Sequence, residues 1–414
     1  MHILLIHQAF SSLNEAGGTR HHEIATYLME KGHRVTVITS VISYLTGRNE
    51  NNTYTQTSAS TEDGLNIIHT YTYPALHRSF IHRVFSFFSF MVSSFFAAMK
   101  EKDVDLVWGT TPPIFQGVTS WLTARLRGVP FLFEVRDLWP AFAIAIGVLT
   151  NPLLISLSLW LERFLYRRAD CVVVNSPGYI CHVTDRGAVR VKLIPNGANP
   201  KMFNPADEGR AFRDSHDLEG KFVALYAGAH GISNDLDTVL KAAAILRANQ
   251  KIVIVLVGDG KEKQRLRESA AKDGLDNVLF LPPVPKNEIA GVLAGAHACI
   301  AILKPLELYK TTYPNKVFDY LAAGRPVALA IDGVIREVVE QANAGLFVRP
   351  GDAAQLAEAL RYLASNPKVA HEMGKNGRRY IEENFNRLSS SDSMLSLMQD
   401  MRDDHERKNP GRRR

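Results

Sequence analysis

The sequence predicts an α/β protein of two Rossmann-like halves, each a doubly wound parallel sheet. Two observations carry this. Short apolar, β-branched runs alternate with helix-period segments along most of the chain, the pattern of parallel strands joined by crossover helices. The alternation stops in a polar, turn-rich stretch, NPADEGRAFRDSHDLEG, and then starts again, which places the domain junction there. A chain of 414 residues also exceeds one ordinary domain, so two is the natural division. The expected limits are 1–200 and 201–385 for the two domains, and 386–414 for a helix returning to the first domain plus a basic tail.

Taken in order, HILLI, a helix from about residue 19 to 31, and VTVIT form a first βαβ unit. NIIHTY, DLVWG, PFLFEV, CVVVN and VKLIP supply the further strands of that half. FVALYAG, IVIVLVG, NVLFL, ACIAIL, PVALAI and AGLFV supply the second. Amphipathic helices follow from Asp352, and the last, near 389–401, lies beyond the final strand.

Composition is that of a soluble globular protein, 46% hydrophobic and 22% charged. The net charge of +6, partly in the terminal RKNPGRRR, permits nucleotides or phospholipid headgroups as partners. Nucleic acid is disfavoured, because the basic residues show no aromatic interleaving along one face. Cys171, Cys181 and Cys299 form no CxxC pair, and the first and last sit in apolar runs, as expected of buried thiols in a reducing compartment. The start MHILLIHQAF is a strand rather than a leader, lacking a charged leading region and a cleavage site. Residues 84–99 carry four serines and are short for a bilayer, while Pro140, Gly147, Asn151 and Pro152 break 138–161. Neither is a span. The helix around 77–100 combines phenylalanines with Arg78, His82, Arg83 and Lys100, which suits both an anionic membrane surface and a core position. The pairs Asp103/Asp105 and Asp235/Asp237 join no further ligand, so no metal is expected.

Ligands of doubly wound sheets bind at the carboxyl ends of strands, and the informative residues fall there. Gly17 and Gly18 follow the first strand, where a close ligand approach and a tight turn would each call for glycine. Arg136 and Asp137, in RDLWP, follow PFLFEV and face either a ligand or each other. NSPGY and PNGAN have turn chemistry sufficient to explain them. In YAGAHGIS, the backbone around Gly228, His230 and Gly231 could hold a phosphate, and Gly258 in VGDGKEK repeats the arrangement. FLPPVPKNE presents Val284 as an exposed platform for a flat base, and Lys304 follows ACIAIL. The centre of the site is 311–327, TTYPNKVFDYLAAGRPV. Pro314 suits the first helical turn, with Thr312, Asn315, Lys316 and Val317 around that start. Val317, Tyr320, Leu321 and Gly324 face the core by spacing, while Lys316, Asp319 and Ala323 share a neighbouring face. Free amides and a lysine suit a phosphate, and the carboxylate suits a sugar hydroxyl.

The Gly-Gly loop, RDLWP, PNGAN, VGDG and NKVFDYLAAGRPV, in that order over nearly the whole chain, resemble GT-B glycosyltransferases. The similarity is to the retaining family 4, in its bacterial surface-polysaccharide branch carrying RDLWP. It implies two Rossmann-like domains facing a cleft, an acceptor-binding first domain and a nucleotide-sugar-binding second. It further implies metal-independent transfer with retention from a nucleotide sugar, UDP-sugar favoured, to a lipid-linked acceptor. The setting would be the cytoplasm, peripheral on the inner face of the membrane. Asp319 stands where the family holds the ribose hydroxyls, and Thr311 replaces a glutamate that contacts the sugar. The family's Arg and Lys for the diphosphate are absent from AGAHGISND, and Lys316, Lys304, His230 and the amides of Gly17, Gly18 and Gly231 are the candidates to replace them. Asp137 or Arg136 would orient the acceptor from the opposite wall. A 2-epimerase of the same fold would need catalytic carboxylates and histidines not seen here. A non-catalytic nucleotide-sugar binder is the other alternative, suggested by Thr311.

Overall fold

The computed structural model describes residues 1–42, 58–62, 64–74 and 80–409. His77, Arg78 and the tail 410–414 lie outside the described residues. The chain forms two compact units, one of Met1–Ser11, Gly18–Pro195 and Leu388–Arg414, the other of Ser12–Gly17 and Asn196–Arg387.

The first unit contains β1 (His2–Ile6), α1 (Arg20–Glu30), β2 (Arg34–Ser40), β3 (Ser58–Glu62), β4 (Leu65–Thr70), α2 (Phe80–Lys100), β5 (Leu106–Thr111) and α3 (Phe115–Arg127). It continues through β6 (Phe131–Val135), α4 (Ala141–Ala145), α5 (Pro152–Arg168), β7 (Cys171–Val174), α6 (Ile180–Asp185) and β8 (Val191–Leu193). The strand order is β3-β4-β2-β1-β5-β6-β7-β8. Central β1 pairs in parallel with both neighbours, Ile3 lying opposite Val35 and Leu106. Among the described residues only β3 runs antiparallel, against β4 at the edge. Its sequence, SASTE, has no apolar alternation, so only its hydrogen bonds reveal it.

Alternating residues of these strands face two layers, as the pleat requires. Ile3, Leu5 and Trp108 pack with Ile24 and Leu28 of α1 and with Met394 and Met398 of the chain's last helix, Arg387–Lys408. On the other side Phe133 packs against Tyr166 of α5, and a Cβ at Gly117 of α3 would strike that same ring. Thr119 of α3 donates to the Met91 carbonyl of α2, so α2, α3 and α5 share this layer.

The second unit contains α7 (Arg210–Asp214), β9 (Phe222–Ala227), α8 (Leu236–Leu246), β10 (Ile252–Val257), α9 (Lys263–Lys272), β11 (Val278–Leu281), α10 (Ile289–Ala294) and β12 (Ala298–Ile302). It ends with α11 (Asn315–Ala322), β13 (Val327–Ala330), α12 (Val334–Gln341), β14 (Gly345–Phe347), α13 (Ala353–Ser365) and α14 (Pro367–Asn384). Its sheet is wholly parallel, in the order β11-β10-β9-β12-β13-β14. Val223 and Leu225 enter one core with Val317 and Leu321 of α11, while Ala224 and Tyr226 enter the opposite core with Leu356 and Leu360 of α13. The polar stretch 204–220, read from sequence as the junction, belongs to this unit. A Cβ at Gly209 would lie 2.1 Å from the Gly295 nitrogen, so the segment is packed rather than free. It reads as linker because most of its residues are polar, although Leu218 is buried in the core and Phe212 packs against it.

Among the described residues, no helix is long and apolar enough to cross a membrane.

Candidate functional site

In the second unit the loops after β9 and β10 meet the start of α11. Gly228 has φ +146°, and a Cβ there would stand 3.0 Å from Lys316 Nζ. Gly258 has φ +144°, and its Cβ would lie 1.9 Å from the Gly228 carbonyl oxygen. Both demand glycine on backbone conformation, and Gly258 on space as well. The loops are laced together: the His230 amide donates to Asp259 O at 2.8 Å and the Glu262 amide to His230 O at 3.0 Å. Lys263 ties the second loop to the sheet, donating to Gly258 O at 2.6 Å and Leu281 O at 2.9 Å.

Pro314 is the N-cap of α11, with φ −69° and ψ 124°, one place before the first-turn position expected. No side chain caps that end, which leaves its amides for another partner. Lys316 Nζ donates to Tyr226 Oη at 2.7 Å and to Asn234 Oδ1 at 3.3 Å, and lies 4.0 Å from the Tyr226 ring centroid. The Tyr226 hydroxyl donates onward to Ala229 O at 2.7 Å. Lys316 is half-buried as a residue, and burial pushes its ammonium pKa down to about 7. Among the described residues no carboxylate pairs with it, and Asp319, three residues on, is held by Lys286 at 2.5 Å. The site therefore contains a desolvated cation with only neutral partners, the state in which an incoming anion gains most.

His230 is fully buried, with neither ring nitrogen hydrogen-bonded. Burial, with Lys263 and Lys316 adding to it, pushes its pKa down to about 4, so the ring is neutral at pH 7. A buried imidazole with both nitrogens unmatched is costly unless a ligand or water completes it.

Contacts thus bring together Gly228, His230, Gly258 and Lys316. Gly231 follows in the same loop, and the Lys304 amide donates to Ser233 O at 3.0 Å at the end of that loop. Asn315 is half-buried, with its Oδ1 unpaired; Thr312 is also half-buried, its amide donating to Tyr309 O at 3.2 Å. Three expectations need correction. Val317 faces the core as its spacing predicts, so its expected place at the donor site is narrowed to a contact through backbone. Val284 is half-buried against that same core rather than an exposed platform, because the proline-flanked turn folds it inward. Ala323 is buried too and does not share an open face with Lys316 and Asp319. Thr311 spends its hydroxyl on the Leu308 carbonyl at 2.6 Å.

Gly17, assigned to this unit, and Gly18, assigned to the other, are both exposed. Neither has positive φ, and a Cβ at Gly18 would meet nothing within 4 Å. A tight turn therefore does not require glycine there.

In the first unit, Arg136 reaches residues at the ends of two neighbouring strands. Arg136 donates from Nε to Thr110 Oγ1 at 3.0 Å and Thr111 O at 2.9 Å, and from a terminal nitrogen to His7 Nε2 at 2.9 Å. His7 is a neutral acceptor, its pKa held well below the usual value by burial and by Arg136. Burial pushes the Asp137 carboxyl up to about 6 against the pull of Arg136, a perturbation expected of functional carboxylates. Beneath them, buried Glu134 accepts from Arg20 at 2.8 Å, His21 at 2.9 Å and Trp108 at 3.1 Å.

The residues missed from sequence are Tyr226, Asn234, Lys263 and Lys286. Lys263 had a signal, being the first helical residue after a glycine-rich turn. The others act through pairings of 90, 82 and 33 residues' separation that local pattern does not carry.

Residues 16–197 match the family described as Glycosyl transferase 4-like domain, and residues 208–380 the family Glycosyl transferases group 1. The chain is 25% identical over 312 residues to the putative colanic acid biosynthesis glycosyl transferase WcaI of Escherichia coli K12, covering 73% of this chain and 76% of that protein. Its fold is similar to sucrose-phosphate synthase from Thermosynechococcus elongatus, with TM-score 0.78 and 20% identity over 97% of this chain and 98% of that one. It is similar also to Anabaena HepE in complex with UDP, with TM-score 0.72 and 16% identity over 97% and 100% of the two chains.

Proposed function

We propose that this chain, a glycosyltransferase of GT-B fold built from a 4-like domain and a group 1 domain, moves a sugar from a UDP-sugar to a lipid-linked saccharide with retention. The pathway would be cell-surface polysaccharide assembly, in keeping with the colanic acid relative. One observation carries the reading: the desolvated Lys316 ammonium, unpaired with any carboxylate among the described residues, stands beside the uncapped start of α11 and the glycine-built loops after β9 and β10. Preorganised donors at such a point stabilise the charge that builds on a departing diphosphate. Lys316, the nearby Lys304 and His230, and the amides of Gly17 and Gly231 hold that diphosphate, Asp319 the ribose, and Arg136 and Asp137 the acceptor. The positive charge comes from protein, so transfer proceeds without a metal, and the departing phosphate accepts the acceptor's proton. The 2-epimerase alternative requires conversion of a UDP-sugar with no acceptor present. In a thermal-shift panel UDP-sugars are expected to raise the melting temperature more than GDP-sugars, since a ligand selective for the native state stabilises it. No shift with any nucleotide sugar would contradict the assignment.

A membrane contact accompanies the lipid-linked acceptor, with the protein peripheral on the inner face of the cell membrane. Two helices of the first unit support it. In α2, Phe90 and Ala98 are buried while Phe85, Phe88, Val92 and Phe96 recur at helical spacing on the outward face, Phe96 being 62% exposed. In α5, Glu162, Leu165 and Tyr166 face inward, and Leu153, Leu157 and Trp160 face out, Trp160 also being 62% exposed. Exposed Arg163, Arg167 and Arg168 follow Trp160, a combination suited to an anionic interface. The sequence allowed the α2 phenylalanines a membrane surface or a core position; Phe90 is buried, while Phe85, Phe88 and Phe96 are exposed. Wild-type protein is expected to sediment with phosphatidylglycerol vesicles, less so at high salt, and a Phe96→Glu/Trp160→Glu variant to remain in solution. Wild-type protein that stays in the supernatant would refute the contact.

A further inference from the structure

Lys286 lies outside every phosphate contact assigned above, yet it occupies the carboxylate read as the ribose contact. Its Nζ stands 2.5 Å from Asp319 Oδ2, with the two side chains only 12% and 17% exposed. This is not a wandering surface pair. The Lys286 amide donates to Glu15 O at 3.3 Å, and the Asn287 amide to Leu13 O at 3.1 Å. The Asn287 side chain adds a bond to Asn14 Oδ1 at 3.1 Å, so the segment carrying Lys286 is held on both sides of its Cα. The ammonium also lies 5.8 Å from the Phe203 ring centroid. Lys316, the other lysine on this side of α11, is engaged by Tyr226 and Asn234 and does not compete for Asp319.

We propose that Lys286 sets nucleotide specificity: by covering one oxygen of Asp319 it leaves that carboxylate a single contact for the ribose, to the 3′-hydroxyl, so 2′-deoxyribonucleoside diphosphates bind nearly as well as ribonucleotides. The proposal rests on the reading of Asp319 as the ribose contact. A carboxylate with both oxygens open accepts from two neighbouring hydroxyls at once, and a site built for both rejects the analogue lacking one. Here Oδ2 and the space beside it belong to the ammonium. Aspartate is also one methylene shorter than glutamate, which reduces its reach around Lys286. The lysine charge acts equally on ribo- and deoxyribonucleotides, so it cancels in the ratio of their affinities, which reports the number of hydroxyl contacts alone.

The test is calorimetric titration of the full chain with UDP and dUDP, GDP and dGDP, and ADP and dADP. For whichever base binds, the wild-type deoxy-to-ribo Kd ratio is expected to stay within about threefold. Lys286→Met frees Oδ2 and is expected to raise the ratio above about tenfold, while Lys286→Arg, which keeps the pair, keeps it low. Lys286→Gln serves as a second neutral variant if the methionine protein unfolds. A wild-type ratio above about tenfold, or a ratio unmoved in both neutral variants, would overturn the proposal. A purine pair binding in place of the uridine pair would defeat the UDP reading but leave the ratio to decide on Lys286. Binding of no nucleotide would defeat both.

Discussion

Lys316→Ala is expected to lower turnover by more than about tenfold, a loss of ~1.4 kcal/mol or more in transition-state stabilisation. The effect follows from what the ammonium lacks. Its partners are a phenol and an amide oxygen, so the free protein spends little of the lysine's charge, and a departing diphosphate meets nearly all of it. The same desolvation makes the effect pH-dependent. With the pKa near 7 in the free protein, a bound diphosphate favours the ammonium and raises that value. UDP affinity should therefore be full below pH 7 and be lost as pH rises from there toward the pKa of the complex. Around the ammonium, His230 stays neutral with its pKa near 4 and burial pushes the Tyr226 hydroxyl up, beyond the working range. Lys263 is lowered by burial but already bonded to two carbonyls. Titrations of UDP from about pH 6 to about pH 9 should show the decline in wild type and not in Lys316→Ala. Unchanged turnover in a folded variant would remove Lys316 from the site.

Glu134→Gln is expected to cost about 3–5 kcal/mol of stability, the usual penalty for stripping one partner from a buried ion pair. Arg20 and Glu134 are both buried, and Arg20 also donates to Ile194 O and Pro195 O, each at 2.8 Å. It therefore has no path to water when its counterion is removed. His21 adds a hydrogen bond rather than a second ion pair, because burial pushes its pKa to about 4 despite Glu134 beside it. Burial alone would raise the Glu134 pKa, but Arg20 and His21 hold it well below the usual carboxylate range. That contribution is present above the carboxylate's unfolded pKa and is lost as pH falls toward the folded value. Urea unfolding should show a lower midpoint with an unchanged slope in the variant. A loss under about 1 kcal/mol would mean that Arg20 finds water or another anion.

Much of the fold was legible because its strands are buried on both faces. HILLI, CVVVN and IVIVLVG are continuous apolar runs, and each became a strand. β3 was not legible, since SASTE offers no face to bury and exists by pairing with β4. The site divides in the same way. Glycine-rich turns after strands marked Gly228 and Gly258, and helical spacing put Lys316 and Asp319 together at one helix end. What that spacing could not convey was which partner each would take. Lys316 went to Tyr226 from β9, and Asp319 to Lys286 from the segment after β11. RDLWP shows the same limit: its charges after a strand marked a ligand or a mutual bridge as their partners, and neither reading pointed to the bonds Arg136 makes to Thr110, Thr111 and His7.

The central claim is that two phosphates nest against the opening turn of α11. A crystal structure of the UDP complex tests it most directly. Expected are phosphate oxygens within about 3 Å of Lys316 Nζ and of a His230 ring nitrogen, with the terminal phosphate over the first amides of the helix. A nucleotide lodged elsewhere, with Lys316 still closed on Tyr226 and Asn234, would contradict it.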